Sequence, residues 1–505
     1  MRFLTVIIFL FFTLQTYAQE DGVENYDLLI KNATVIDGTG AGAYNGYLGI
    51  KDGEIISIGD KIPHHYKTKQ EIDATGFTVT PGFIDSHSHG DPLETPEFKN
   101  FLAMGVTTIT LGQDGHSPAE ADLSSWMQKV NDKKPAVNIA MFVGHNTLRT
   151  LAGVNFDSIP SNEGLNTMQR LLKNGFSAGA FGMSTGLEYT PGNFSRQEEL
   201  NALAKTVGEE QGIIMSHMRN EDDKELENAL EELLIQGRYA PVHVSHIKVV
   251  YGKGRNRALE IIKILDSARN AGIKVTGDLY PYTASHTGIA ILFPAWAKKP
   301  NNYPEIVSGR RVELEDFLRK KVAQRNGPEA ILLGSGSFKG KTLADVSQQL
   351  KKPFEQVLID EIGPYGAGAA HFIMEEELQT TFLLDDQICI SSDGSPTMYH
   401  PRGYGSFSKV IQKYVLQEKI LDLEEAVYKM TGLPAQILQL KDRSLLKKGY
   451  KADVLIFKPE EIKAHATYEK PHQLAEGMKF IIVNGRLVME NGNFTKIRNG
   501  KVLSR

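Results

Sequence analysis

Eight short apolar runs recur through the middle of the chain and limit what it can fold into: FIDSHSH, VTTITLGQD, VNIAMFVGHN, GAFGMSTGL, GIIMSHMRN, PVHVSHIK, VTGDLYPY and ICISSDG. Charged, helix-favouring segments such as SRQEELNALAKTVGEEQ and NRALEIIKILDSARNAG separate several of them. Runs without polar alternation suit strands buried on both faces, and strands alternating with helices build a parallel sheet. Eight such repeats close the sheet, so the chain is predicted to be an α/β protein built on a (β/α)8 TIM-type barrel. One interval breaks the rhythm. More than a hundred residues separate Tyr280 from Asp393. That length predicts an insertion over about residues 288–385, beginning near ILFPAWAKKP and folding over the barrel mouth.

The two ends read differently. From Tyr26 to Thr80, segments such as YDLLIKNATVID alternate apolar with polar residues and break at Asp-Gly and Gly turns; KADVLIFKP and FIIVNGRLVMENG repeat the style near the C-terminus. A small β-sandwich built from both ends follows, residues 19–80 and 431–505, around a barrel spanning 81–430. Residues 1–18, MRFLTVIIFLFFTLQTYA, pair an early arginine with an apolar run and end on Thr16 and Ala18. This is the pattern of a secretory signal cut before Gln19. Its apolar core is shorter than the roughly 20 residues that span a bilayer. The mature protein is therefore expected to be exported, periplasmic or extracellular, with no stable membrane anchor. Net charge is −5 with no basic block, which argues against a nucleic-acid partner. The single cysteine, Cys389, lies in an apolar run and reads as a core residue, not a nucleophile.

Polar residues recur at the C-terminal ends of the runs: His87 and His89 on the first, Asp114 on the second, His217 on the fifth, His246 on the sixth and Asp393 on the eighth. In a closed barrel those ends converge on the face where active sites lie. Residues i and i+2 on a strand point the same way, so His87 and His89 can reach one ion. Imidazole and carboxylate suit zinc and related divalent ions. Any one of these residues alone has an ordinary structural explanation; five strand ends in one periodic order do not. Lys248 and Arg219 each lie two residues past a ligand histidine and are expected at the same mouth. His116 and His145 follow strand ends, whereas His64, His65, His465 and His472 fall in polar segments and read as surface residues.

TPGFIDSHSH, with ADVLIF and IIVNG near the C-terminus, resembles the amidohydrolase superfamily. FGMSTGLEYTPG, MSHMRNE, VSHIK, DLYPYTAS and SSDGSP…HPRGYGSF resemble its N-acyl-D-amino-acid deacylase, or D-aminoacylase, branch over nearly the whole mature chain. The resemblance implies one metal on His87, His89 and Asp393 and a second position on His217 and His246, with one or two Zn²⁺ or other divalent ions as cofactor. The branch often carries cysteine in a GNCG-like turn on the second strand; this chain has GQDG, which puts Asp114 there as a bridging carboxylate. The implied reaction is attack of metal-activated hydroxide on the amide of an N-acyl-D-amino acid, with Asp393 as general base and then acid. Lys248 or Arg219 would hold the substrate α-carboxylate, and Tyr189, Tyr282 and Arg402 match positions lining the pocket. His286 stands where relatives carry small hydroxyl-bearing residues. A D-residue dipeptide presents the same amide and carboxylate. A dihydropyrimidinase- or dihydroorotase-like cyclic-amide hydrolase is the rival on this fold, disfavoured because no bridging lysine stands near FGMSTGL. An inert ligand-binding protein is the rival outside enzymes.

Overall fold

The computed structural model describes residues 24–505, so the signal-like segment 1–18 lies outside the described residues. The N-terminal strands are β1 (Glu24–Val35), β2 (Tyr44–Lys51), β3 (Glu54–Gly59), β4 (Tyr66–Asp73) and β5 (Thr78–Pro81). The middle supplies β6 (Phe83–Asp85), β7 (Val106–Leu111), β8 (Asn138–Gly144), β9 (Gly182–Gly186), β10 (Ile213–His217), β11 (Val242–Val244) and β12 (Val275–Leu279). After them come β13 (Ser285–Gly288), β14 (Ile331–Leu333), β15 (Gly368–His371) and β16 (Ile388–Ile390). The C-terminal strands are β17 (Val454–Phe457), β18 (Met478–Val483), β19 (Arg486–Glu490) and β20 (Asn493–Phe494).

Strands β6 to β12 and β16 form one eight-stranded parallel sheet. It closes through the residues that carry the candidate ligands. Asp393 N–H donates to His87 O and His89 N–H to Gly394 O, each at 2.8 Å. The apolar runs are explained by this closure: each strand packs side chains into the barrel on one face and against helices on the other. Helix Asn162–Ser177 shows the outer layer's logic. Ser161 caps it by accepting from Gly164 N–H, and Met168, Leu171 and Leu172 form its buried stripe.

Nine strands from both chain ends form a second sheet, with β5 pairing β1 on one side and β17 on the other. Leu28, Ile30, Leu48, Ile72, Val454 and Ile482 are among the residues of its own core. Asp52-Gly53 and Asn484-Gly485 turn its hairpins with positive φ at both residues, as two-residue hairpin turns require.

Two boundaries differ from those the sequence predicts. The insertion is a layer of helices over the antiparallel sheet β13–β15–β14, with a core that includes Ile289, Leu314, Leu333 and Val357. It ends before 385, because helix Glu376–Leu383 packs Leu378, Phe382 and Leu383 into the barrel core. The barrel in turn runs past 430. Helix Gly432–Leu438 seals its lower end, placing Leu433, Ile437 and Leu438 against Ile84, Phe142 and the buried Cys389. The last residues also return to the barrel, where Val502 bridges to Ile139. Among the described residues no helix is long and apolar enough to cross a membrane.

Candidate metal centre and active site

Six side chains from five strand ends meet at the barrel mouth. His87 Nε2 lies 3.2 Å from Asp114 Oδ1 and 3.7 Å from Asp393 Oδ1. His89 Nε2 is 3.1 Å from Asp393 Oδ1 and 3.4 Å from Asp114 Oδ2. On the other side of Asp114, His246 Nε2 is 3.4 Å and His217 Nδ1 3.9 Å from Oδ1, and the two rings approach to 3.0 Å. His87, His89, Asp114 and Asp393 form one candidate ligand group and Asp114, His217 and His246 another, so the Asp114 carboxylate is common to both.

The backbone is bent to bring this about. Asp114, His246 and Asp393 have φ of 53°, 39° and 46°. Non-glycine residues there cost of order 1–3 kcal/mol each and concentrate at functional sites. β9 rises directly beneath Asp114, and a Cβ on Gly186 would sit 2.1 Å from Asp114 O, so only glycine fits. Behind the ligands stand carboxylates that the sequence reading did not single out. Asp278 accepts from His246 N–H at 3.0 Å, from the Ser391 hydroxyl at 2.6 Å and from His243 Nε2 at 2.7 Å. Asp85 accepts from Ser392 N–H at 2.9 Å, and burial pushes its carboxyl up to about 7. Glu221 Oε1 is 3.2 Å from His246 Nδ1 and accepts from Lys248 at 2.7 Å. Lys248 Nζ lies 2.7 Å from the same His246 Nδ1, and the ring's Nε2 faces Asp114. Asp85 and Asp278 lie within the apolar runs and Glu221 directly after one, but only the closed barrel puts them behind the histidines.

Electrostatically the site asks for positive charge. Burial opposes charged imidazoles, yet Asp114 and Asp393 outweigh it at His89 and raise it to about 9. At His246 burial and Lys248 oppose the charge, and the surrounding carboxylates still raise the ring to about 10. Burial opposes the ionised Asp393, but Arg402 and the histidines hold its pKa below the usual carboxylate range. Arg402 lies 2.7 Å from Asp393 Oδ2 and 4.6 Å from the Tyr280 ring. Both ring nitrogens of His87 are buried with no hydrogen-bond partner. Orphaned imidazole nitrogens beside ionised carboxylates fit a divalent cation, which would supply the missing charge and the missing bonds.

Two cavities meet at this point, sharing Asp114, Tyr189, His286, Thr287, Asp393 and Arg402. The larger, 580 Å³, opens past His89, Pro92, Trp126, Met141 and Met398. The smaller is a polar chamber that includes Glu188, Glu221, Lys248, Tyr280 and Arg325 in its wall. Tyr189, Lys248, His286 and Arg402 thus line these cavities. Two other candidates do not. Arg219 turns away and grips Glu232 at 2.8 Å and the carbonyls of Asn193 and Ser195 at 3.0 Å. β10 ends at His217, so the alternation that put Arg219 at the mouth has already stopped. Tyr282 packs away from both cavities, with the Lys409 ammonium 4.0 Å from its ring. The chain turns at Pro281, where Tyr282 N–H donates back to Tyr280 O, and Tyr280 faces the chamber instead. His116 lines the larger cavity, while His145 is buried 2.7 Å from Glu199 in an outer cluster with Arg149.

Comparison with known proteins agrees with this geometry. Residues 350–489 match the model described as Amidohydrolase family. The chain is 31% identical to an N-acyl-D-glutamate deacylase of Alcaligenes xylosoxydans xylosoxydans, over 95% of this chain and 97% of that one. It is 31% identical to a D-aminoacylase of the same organism, over 95% and 98%. The crystal structure of an N-acyl-D-glutamate deacylase from Bordetella bronchiseptica, complexed with zinc and a phosphonate inhibitor, superposes with a TM-score of 0.81 at 30% identity, covering 95% of this chain and 100% of that one. Fold and site together define a metal-dependent hydrolase acting on amide bonds. Within that class the chain belongs to the N-acyl-D-amino-acid deacylase, or D-aminoacylase, family of amidohydrolases.

Proposed function

We propose that the protein hydrolyses the amide bond of N-acyl-D-amino acids, releasing a carboxylic acid and a D-amino acid. One observation carries the reading: the Asp114 carboxylate lies between His87 and His89 on one side and His217 and His246 on the other, with Asp393 alongside. His87, His89 and Asp393 would hold one zinc ion, His217 and His246 a second, and Asp114 would serve both. When bound, zinc supplies a Lewis acid that polarises the amide carbonyl and makes water acidic near neutral pH.

The chain's own residues do the rest. Asp393, kept ionised, takes the proton from the attacking water and delivers it to the leaving nitrogen. Arg402 orients that carboxylate and has an unpartnered Nε at the cavity junction. The substrate α-carboxylate lies one carbon from the scissile nitrogen, so Arg402 is the cation in its reach and Lys248 the next. The larger cavity takes the acyl group. Its 580 Å³ exceeds what an acetyl group needs, which supports an aminoacyl group there and hence L,D-dipeptides as substrates too. Residues 1–18 are proposed as a secretory signal, which N-terminal sequencing of the mature protein checks. The test of the activity is hydrolysis of N-acetyl-D-amino acids, N-acetyl-L-amino acids and L,D-dipeptides by zinc-loaded protein beside Asp393→Asn and His87→Ala. Turnover of D-configured substrates that both variants abolish is the expected result; turnover of cyclic amides alone would replace the reading.

A further inference from the structure

Arg325 is an exception to the charge pairing seen elsewhere around the chamber. It ends helix Arg311–Gln324 of the insertion, is 2% exposed, and makes no ion pair with a carboxylate among the described residues. Its Nε has no hydrogen-bond partner. A buried guanidinium without an anion costs several kcal/mol. The carboxylates in the same chamber are already engaged: Asp222 by Lys321 at 3.2 Å, Glu221 by Lys248 at 2.7 Å, Glu188 by His217 at 3.1 Å. Beside Arg325 stands the neutral Tyr251, its ring 5.9 Å from the guanidinium. Among the described residues the guanidinium of Arg325 is thus left without a carboxylate of its own.

We propose that Arg325 is a specificity-determining residue that receives the side-chain carboxylate of an acidic D-amino acid, making N-acyl-D-glutamate and N-acyl-D-aspartate the preferred substrates. This rests on the deacylase reading above and adds to it the class of D-residue. Connectivity separates the two carboxylates of such a substrate. The α-carboxylate must stay near Asp393, within reach of Arg402, which borders both cavities. Arg325 borders only the chamber, on the side of Val250 and Ile373. The chamber holds 30 Å³. A water needs about 10–15 Å³, so the space admits a carboxylate beside the guanidinium.

The test compares kcat/KM of the zinc-loaded enzyme for N-acetyl-D-glutamate, N-acetyl-D-aspartate, N-acetyl-D-leucine and N-acetyl-D-methionine. Wild type should favour the acidic pair at least about ten-fold. Arg325→Met should lower the acidic values about 100-fold, mostly through KM, and leave the neutral ones within about three-fold. Arg325→Lys should fall between. Arg325→Met should melt no lower than wild type, since the charge it removes has no partner. Preference of wild type for neutral residues, or an equal fall for both classes, overturns the proposal while the deacylase reading stands. If no N-acyl-D-amino acid is turned over, that reading fails, and calorimetric binding of D-glutamate against D-leucine decides this one. Tighter D-glutamate binding lost in Arg325→Met supports it; equal binding overturns it.

Discussion

Replacing Asp114 by asparagine separates its charge from its place in the turn. Asparagine keeps the shape and tolerates the φ of 53° found there, so the loop should survive. What goes is the negative charge that sits 3.2 to 3.9 Å from four imidazole nitrogens. A unit pair at 4 Å with an effective dielectric of 20 is worth about 4 kcal/mol, and a divalent ion doubles that. The neutral amide is cheaper to bury, which returns part of the loss. A net cost of about 4 kcal/mol is roughly a thousand-fold in affinity. Competition with a chromophoric chelator on metal-stripped protein reads this directly, and far-ultraviolet circular dichroism confirms the unchanged fold. A zinc affinity within ten-fold of wild type would refute the bridging role and leave Asp114 as a turn residue.

Further outcomes follow from the residues around the site. Arg219→Ala should lower stability by about 1–3 kcal/mol by denaturant titration while changing kcat/KM less than about three-fold, because Arg219 staples a loop away from both cavities. Tyr282→Phe should be near neutral in activity and stability, since its buried hydroxyl has no partner. Burial, with Lys413 alongside, pushes Lys409 down from 10.5 to about 8. The unfolded chain therefore binds that proton more tightly, and stability gains from this group as pH rises from about 8 to 10.5. In Lys409→Met that increment should vanish from the difference between melting curves at pH 7.5 and 10. Chelation of the metal should lower Tm; at a free zinc concentration a thousand-fold above Kd, the stabilisation lost is about 4 kcal/mol.

The barrel was legible because its strands must be apolar on both faces, and periodic runs of that kind leave few alternatives. The convergence of His87, Asp114, His217, His246 and Asp393 was legible for the same reason: each stands at the end of a run, and closure brings the ends together. Arg219 was placed by alternation after its strand had ended and Tyr282 by family resemblance, and local turns sent both elsewhere. The boundaries at 385 and 430 were missed because helices Glu376–Leu383 and Gly432–Leu438 carry the same apolar stripes whether they serve an insertion, a sandwich or a barrel. Arg325 was beyond reach, since only tertiary folding shows a charged residue left without its counter-ion.

Cleavage of amides of D-configured residues at this metal centre can be read from the product itself. The direct measurement is chiral chromatography of the amino acid released when zinc-loaded protein is incubated with racemic N-acetylglutamate. D-Glutamate alone should appear, N-acetyl-L-glutamate should remain, and Asp393→Asn should release neither. Release of the L-enantiomer, or equal release by the variant, would contradict it.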